Sequence, residues 1–164
     1  MPDEESFGRY VMEAYPALLR RARLLVGDAG HAEDLVQLAL ASAFTHWRTV
    51  RQPDAYLRTV MARKAIGWRA RRWHGELPTD PLPDSADGSV QAGDFDLGGA
   101  VRQALMTLPA EQRAVVVLRY FDDCSEADIA AALKCSPGTV KSRASRALAA
   151  LRASGLLAEE GQMR

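Results

Sequence analysis

The stretch SPGTVKSR, residues 136–143, decides how the C-terminal third of the chain folds. Ser136 is a favoured N-cap residue and Pro137 suits the first position of a helix, so a helix is predicted to begin here. A shorter helix is predicted just upstream, over 126–133, because Ser125 can cap its first turn. A three-residue turn separates the two helices. The sequence therefore predicts a helix-turn-helix.

The second helix of this motif, predicted over 137–151, has two faces of different chemistry. One face is apolar and carries Val140, Ala144, Ala147, Leu148 and Leu151. The other carries hydroxyl and basic side chains, which suit the major groove because Arg can bond guanine edges and Ser or Thr can bond bases or phosphates. A solvated amphipathic helix of a bundle is the alternative interpretation. The candidate DNA contacts are Ser136, Thr139, Lys141, Ser142, Arg143, Ser145 and Arg146.

The N-terminal half predicts three further helices, over about 6–26, 28–47 and 55–73. The second repeats apolar residues on one face, and the third combines an apolar stripe with a strongly basic edge. Arginines beside tryptophans suit single-stranded DNA, because cations neutralise phosphates and aromatic rings stack on unpaired bases. A solvated basic face with both tryptophans in the core is the alternative. The candidates are Arg58, Arg63, Lys64, Trp68, Arg69, Arg71, Arg72 and Trp73.

Charge is segregated along the chain although its formal sum is zero over 164 residues. Residues 1–74 carry a net charge of +4, residues 75–99 carry −6 without a basic residue, and residues 100–164 carry +2. The middle segment is also rich in Pro and Gly, and such a segment cannot bury enough apolar surface to fold. We therefore predict an all-α chain with helical domains at 1–74 and 100–154, an acidic flexible linker at 75–99 and a tail at 155–164.

Several function classes are disfavoured by the composition. The acidic N-terminus does not resemble a signal peptide, and no window is apolar enough to span a membrane. Cys124 and Cys135 are not in a metal-binding pattern, and two buried thiols are a simpler interpretation than zinc or a disulfide. No nucleophile–base–acid grouping is visible, so neither an enzyme nor a cofactor is expected.

The motifs together resemble the extracytoplasmic-function (ECF) group of bacterial RNA polymerase sigma factors, most closely its actinobacterial sigma-E-type family. The resemblance covers about residues 6–74 and 100–152. The segment AEDLVQ at 32–37 is similar to the start of the core-binding helix of these proteins, and AYLR at 55–58 to the start of their −10 promoter helix. SPGTVKSR is the most specific match and resembles their −35-binding domain. The chain departs from the family pattern after Gln37, where apolar residues follow.

This resemblance implies a dissociable specificity subunit with three contacts. The helix at 33–47 would bind the coiled coil of the beta-prime subunit of core RNA polymerase. The helix at 55–73 would hold the non-template strand of the −10 element and help open the duplex, and the helix at 137–151 would bind the −35 element. The implied polymerase contacts are Glu33, Asp34, Leu35, Gln37, Leu38, Phe44 and Trp47.

The implied partners are core RNA polymerase and promoter DNA, and the implied location is the cytoplasm. An anti-sigma factor is a further candidate partner. The alternative function is a stand-alone helix-turn-helix regulator, which would bind duplex DNA without polymerase.

Overall fold

The N-terminal unit consists of three helices. The computed structural model describes residues 3–73 and 96–155, apart from the side chains of residues 3, 69–73 and 96–98. Within this part of the chain, α1 spans Asp3–Val26, α2 spans Ala29–Thr45 and α3 spans Pro53–Trp73. The three predicted helices are confirmed, and α1 continues through Pro16.

The C-terminal unit is also helical. It contains α4 (Asp96–Met106), α5 (Ala110–Val116), α6 (Glu126–Leu133) and α7 (Pro137–Ser154). A π-helical turn, Val117–Phe121, continues directly from α5. No strand occurs among the described residues, so the predicted all-α class is confirmed.

Side-chain caps fix both helices of the helix-turn-helix. The Ser125 hydroxyl accepts a hydrogen bond from the Asp128 amide at 3.0 Å, and the Ser136 hydroxyl accepts one from the Thr139 amide at 3.1 Å. These bonds satisfy amides that would otherwise lack partners at the first turn of a helix. Lys134 completes the turn in a left-handed conformation, with φ of 60° and ψ of 49°. The predicted helix-turn-helix is confirmed.

α4 begins at Asp96, four residues before the predicted start of the C-terminal unit. Gly98 and Gly99 are poor helix formers and weaken the helical signal in this segment. Packing compensates, because Ala104 and Leu105 are buried in the core and α4 contacts α1. The rest of the predicted linker and most of the predicted tail lie outside the described residues.

One continuous hydrophobic core joins the two units. Leu18, Leu35 and Leu57 of the N-terminal unit belong to the same buried cluster as Leu105 and Ile129 of the C-terminal unit. α1 contacts α4 and α5, while α3 contacts α5 and α6. The described chain therefore has a shared core instead of two separate ones.

Arg113 is a buried charged residue within this core, only 2% exposed. Its Nε donates to the Leu105 carbonyl at 2.9 Å, Nη2 to the Leu108 carbonyl at 2.7 Å and Nη1 to the Leu25 carbonyl at 2.9 Å. Leu25 and Leu105 lie in the last turns of α1 and α4, where carbonyl groups lack intrahelical donors. The guanidinium thus satisfies carbonyls at two helix ends, where the helix dipole favours a cation.

Arg113→Met should destabilise the protein by about 3 kcal/mol or more, because three buried carbonyls lose a charged donor. Chemical denaturation of the full chain measures this change. Arg20→Met is the matched control at an exposed site of α1, and we expect its effect to stay within about 0.5 kcal/mol. Equal stability of the two variants would contradict the role assigned to Arg113.

Candidate nucleic-acid and partner interfaces

The exposed face of α2 carries a mixed acidic and apolar surface. Leu38 is 50% exposed and Phe44 is 47% exposed, both unusually high for large apolar side chains. Glu33, Asp34 and Gln37 are also exposed and share this face of the helix. We call these five residues the α2 face. Exposed apolar side chains grouped with polar ones are typical of a protein–protein contact.

Two other predicted polymerase contacts, Leu35 and Trp47, are less exposed than the α2 face. Leu35 is on the opposite side of the helix and is fully buried at 0% exposure, so it cannot contact a partner directly. Trp47 follows α2 and is half-buried. Its indole Nε1 donates to the Ser6 hydroxyl at 2.8 Å, and its ring meets Phe7 edge-on at a centroid distance of 5.0 Å. Trp47 therefore fastens the start of α1 to the end of α2.

A shallow groove lies at the C-terminal end of α2. It has a volume of about 450 Å³, and its lining includes Phe44, His46, Trp47 and Arg48. Phe44 is thus shared between the groove and the α2 face, so the exposed apolar surface continues past the end of the helix.

Among the predicted −10 contacts on α3, three basic residues have side chains that the structure describes. Arg63 is exposed, whereas Arg58 and Lys64 are half-buried. The Arg63 Nε donates to the Ala132 carbonyl of α6 at 2.6 Å. Arg58 lies beside Cys124, where burial raises the pKa of the thiol and the Arg58 charge and hydrogen bond partly offset that rise. Two of these three cations therefore contact the C-terminal unit.

Trp68 packs within the N-terminal unit. It is half-buried, and its ring meets that of His31 edge-on at a centroid distance of 5.1 Å. The side chains of Arg69, Arg71, Arg72 and Trp73 lie outside the described residues. The third helix extends to Trp73, so the backbone at these four positions is helical.

The polar face of α7 is open to solvent. Val140, Ala147 and Leu151 are buried, as the apolar pattern predicts. Lys141, Ser145 and Arg146 are exposed, and Ser142 and Arg143 are half-buried. Residues 134–152 contain five basic residues and no acid. The helix therefore presents hydroxyl and cationic groups together on one side.

Hydroxyl groups at the start of α7 are partly used in capping the helix itself. Ser136 and Thr139 have hydroxyl oxygens 3.0 Å apart, and the Ser136 hydroxyl also caps the helix. Arg143 points its Nη1 toward the Cys135 sulfur at 4.0 Å. These three predicted DNA contacts thus also contribute to the turn itself.

One contact that joins the two units has no signal in the sequence. The Arg21 Nε lies 3.0 and 3.1 Å from the two Asp122 carboxylate oxygens, and Nη2 lies 3.0 Å from one of them. The side chains are 17% and 7% exposed, respectively. A basic residue on a helix and an acidic residue in a turn are common features of any sequence. The pairing of these two residues is therefore visible only in the folded structure.

Other kinds of site receive no support among the described residues. No cluster of three or more His, Cys, Asp or Glu side chains there could hold a metal ion. Cys124 and Cys135 are half-buried and form no disulfide with each other. None of the described helices combines the length and apolar character that crossing a membrane requires.

Two family profiles match the chain. The profile for sigma-70 region 2 matches residues 10–75, and the profile for sigma-70 region 4 matches residues 98–151. The first contains α2 and α3, and the second contains the helix-turn-helix. Because both profiles describe sigma factors, they favour this class over a stand-alone regulator.

Known relatives agree with these profiles. The chain is 45% identical to the RNA polymerase sigma-E factor of Streptomyces coelicolor, over 89% of this chain and 84% of the relative. It is 34% identical to the ECF RNA polymerase sigma factor SigM of Mycobacterium tuberculosis, over 91% and 76%. Its structure resembles sigma factor RpoE from Bartonella quintana, solved with the anti-sigma factor NepR. That match has a TM-score of 0.69, 30% identity and coverage of 93% of this chain and 97% of that one.

A helical unit with a basic helix, followed by a helix-turn-helix unit, is thus the architecture of an RNA polymerase sigma factor. The chain belongs to the ECF group of the sigma-70 family. It directs promoter-specific initiation of transcription. Sigma factors are initiation factors and not enzymes.

Arg146→Ala should relax discrimination at one −35 position by roughly 1–3 kcal/mol, because an exposed arginine on the polar face can bond a base edge. Binding of duplexes that vary one −35 base pair at a time measures this effect. Lys141→Ala provides a comparison on the same helix. Equal loss of affinity on every duplex would instead identify Arg146 as a phosphate contact.

Proposed function

We propose that three helices of this sigma factor each bind a different partner during initiation. The α2 face binds the beta-prime coiled coil of core RNA polymerase, α3 holds the non-template −10 strand, and α7 binds the −35 element. The observation that carries this proposal is the exposed α2 face, because a protein that only binds DNA has no need of it.

The α2 face suits a helical protein partner. Leu38 and Phe44 supply apolar area, which drives association when it leaves water. Glu33 and Asp34 add negative charge at the N-terminal end of the helix and favour a partner with basic residues. Leu35 and Trp47 support this face from beneath through the core and the contact with Ser6.

α3 suits single-stranded DNA through its basic edge. Residues 51–74 contain seven basic residues and one acid, so the local potential attracts a phosphate backbone. Arg58, Arg63 and Lys64 are the proposed phosphate contacts with described side chains. Trp68, which lies against His31, and Trp73 are the proposed candidates for stacking on a base.

α7 suits the major groove of duplex DNA. Lys141, Ser145 and Arg146 are exposed together on its polar face. Arg143 and the capping residues Ser136 and Thr139 lie nearer the turn, a position from which the helix start contacts the DNA backbone.

Further features follow from the proposed role. The protein acts on polymerase in the cytoplasm and has no catalytic activity of its own. By its resemblance to the family, the acidic segment at 75–99 is assigned to the polymerase cleft, and a solubilising spacer is the alternative. An anti-sigma factor is a further proposed partner, and the relative solved with NepR supports that idea.

Run-off transcription with core polymerase on a genomic promoter library tests the function and yields the promoter sequence. The full chain should start transcription at defined sites, each with shared −10 and −35 sequences. Duplex binding by the purified chain alone at a palindrome, without any effect on core polymerase, would contradict the proposal.

The double substitution Leu38→Ala and Phe44→Ala tests the α2 face. It should weaken binding to core polymerase at least tenfold, because large apolar anchors typically contribute about 1–2 kcal/mol each. Fluorescence anisotropy of the labelled chain with core polymerase measures the affinity.

Met12→Ala is the matched control, since Met12 is 80% exposed on α1 and is not part of the α2 face. It should change the affinity less than about twofold. Circular dichroism checks that every variant is folded. Equal affinities of the double variant and the control would contradict the proposed role of the α2 face.

A further inference from the structure

Two arginines near the ends of α1 and α4 have no polar partner in the described part of the chain. Arg23 lies in the last turn of α1, and Arg102 lies one turn before the end of α4. Both side chains are half-buried, and neither forms a hydrogen bond or an ion pair with a described residue. The Arg23 Nε is fully buried and lacks an acceptor there. A buried donor without an acceptor is costly, so this site is incomplete as it stands.

The two guanidinium groups are neighbours across the contact between α1 and α4. Gly27 directly follows α1, and the Met106 side chain at the end of α4 fills the space beside it. Arg23 and Arg102 each precede these residues by four positions, so they lie one turn back on the same sides of the two helices. Burial, and then the positive charge of Arg23, lower the pKa of Arg102. Two like charges therefore share a half-buried space.

Nearby negative groups do not explain this pair. The carbonyls at the ends of α1 and α4 attract cations, but Arg113 already donates to those of Leu25 and Leu105. The acid that follows Arg23 most closely along the chain is Asp28. Its Oδ2 accepts a hydrogen bond from the His31 amide at 2.8 Å and lies 3.1 Å from the His31 Nδ1. The local negative groups are thus already engaged elsewhere.

We propose that Arg23 and Arg102 form a binding site for the terminal phosphate group of a small molecule, either free phosphate or a nucleotide. Guanidinium groups pair with phosphate oxygens through two parallel hydrogen bonds, and the buried Arg23 Nε then gains an acceptor. Neither arginine is among the proposed DNA or polymerase contacts, so the site is separate from them.

The charge of the site favours this ligand over other anions. A terminal phosphate carries a charge of about −1.5 to −2 at pH 7, which balances two guanidinium groups. A carboxylate or a phosphate of a nucleic-acid backbone carries a single negative charge and would leave one of the two buried cations uncompensated. A doubly charged group is therefore the better match in a half-buried site, where water screens charges poorly.

The test uses isothermal titration calorimetry and thermal melting of the purified full chain at constant ionic strength. The probes are inorganic phosphate, ADP and a single-stranded oligonucleotide without terminal phosphates. The native chain should bind phosphate and ADP at one site per chain. Its melting temperature should rise by roughly 4 °C when either anion is present at about ten times its Kd.

Arg23→Gln and Arg102→Gln each remove one of the two cations. Each should weaken the binding of phosphate and ADP at least tenfold, because hydrogen bonds between charged groups are lost. Neither should change the affinity for the oligonucleotide more than about twofold, since the proposed DNA contacts are elsewhere. Without any anion, both variants should melt at or above the native temperature, because the repulsion between the two cations is removed.

Arg9→Gln is the matched control. Arg9 is exposed on the same helix, about 21 Å along the axis from Arg23, and its substitution removes the same charge. The affinity of this control for phosphate and ADP should stay within about twofold of the native value. Circular dichroism checks that each variant is folded.

Four results would overturn the site. The first is a native chain that binds neither phosphate nor ADP, and the second is equal weakening by Arg9→Gln and the two site variants, which would indicate general attraction. The third is a loss of oligonucleotide affinity in both site variants, which would make the pair a nucleic-acid contact. The fourth is a lower melting temperature or loss of fold in both site variants without anion, which would identify two structural arginines.

Discussion

The fold depends on one buried guanidinium. Arg113 donates to the carbonyls of Leu25, Leu105 and Leu108, and these groups come from both units. Without such a donor, the Leu25 and Leu108 carbonyls would lose a charged partner and the Leu105 carbonyl would keep only its bond from the Leu108 amide at 3.1 Å, a costly change for buried acceptors. The same side chain would be unfavourable in an apolar core without these acceptors. The buried carbonyls at the helix ends need a donor, and the buried guanidinium needs acceptors. Both needs are met where the two units are in contact.

The close approach of α1 to α4 shows how tightly this junction is packed. Gly27 ends α1 with φ of 86°, and a Cβ atom there would lie 2.5 Å from the Met106 sulfur. Glycine is needed at this position for the left-handed backbone, and a Cβ atom there would also require the Met106 side chain to move. The interface between the units is therefore closely packed at this point.

Local signals predicted the helix-turn-helix well because its structure is fixed by neighbouring residues. Ser125 and Ser136 cap the helices that follow them, and the apolar positions of α7 face the core. The start of α4 was not predicted, because its stability comes from packing against α1. Leu35 is buried because it lies on the side of α2 that faces the core. A comparison of motifs does not consider on which side of a helix a residue lies. Contacts such as Arg21–Asp122 join residues 101 positions apart and have no local pattern.

The arginines illustrate why charge alone gives an incomplete account of a DNA-binding protein. Arg113 is buried and structural, Arg21 pairs with Asp122, and Arg146 is exposed on the polar face of α7. Each contributes one positive charge to the same net sum, but only the last is available to DNA in this arrangement. Arg63 is intermediate between the structural arginines and the available one. Its Nε bonds a carbonyl oxygen, and its guanidinium has further donors. A carbonyl carries only a partial negative charge, whereas a phosphate carries a full one, so a bond to phosphate is the stronger of the two. The contact between Arg63 and the Ala132 carbonyl is therefore one that a phosphate could replace.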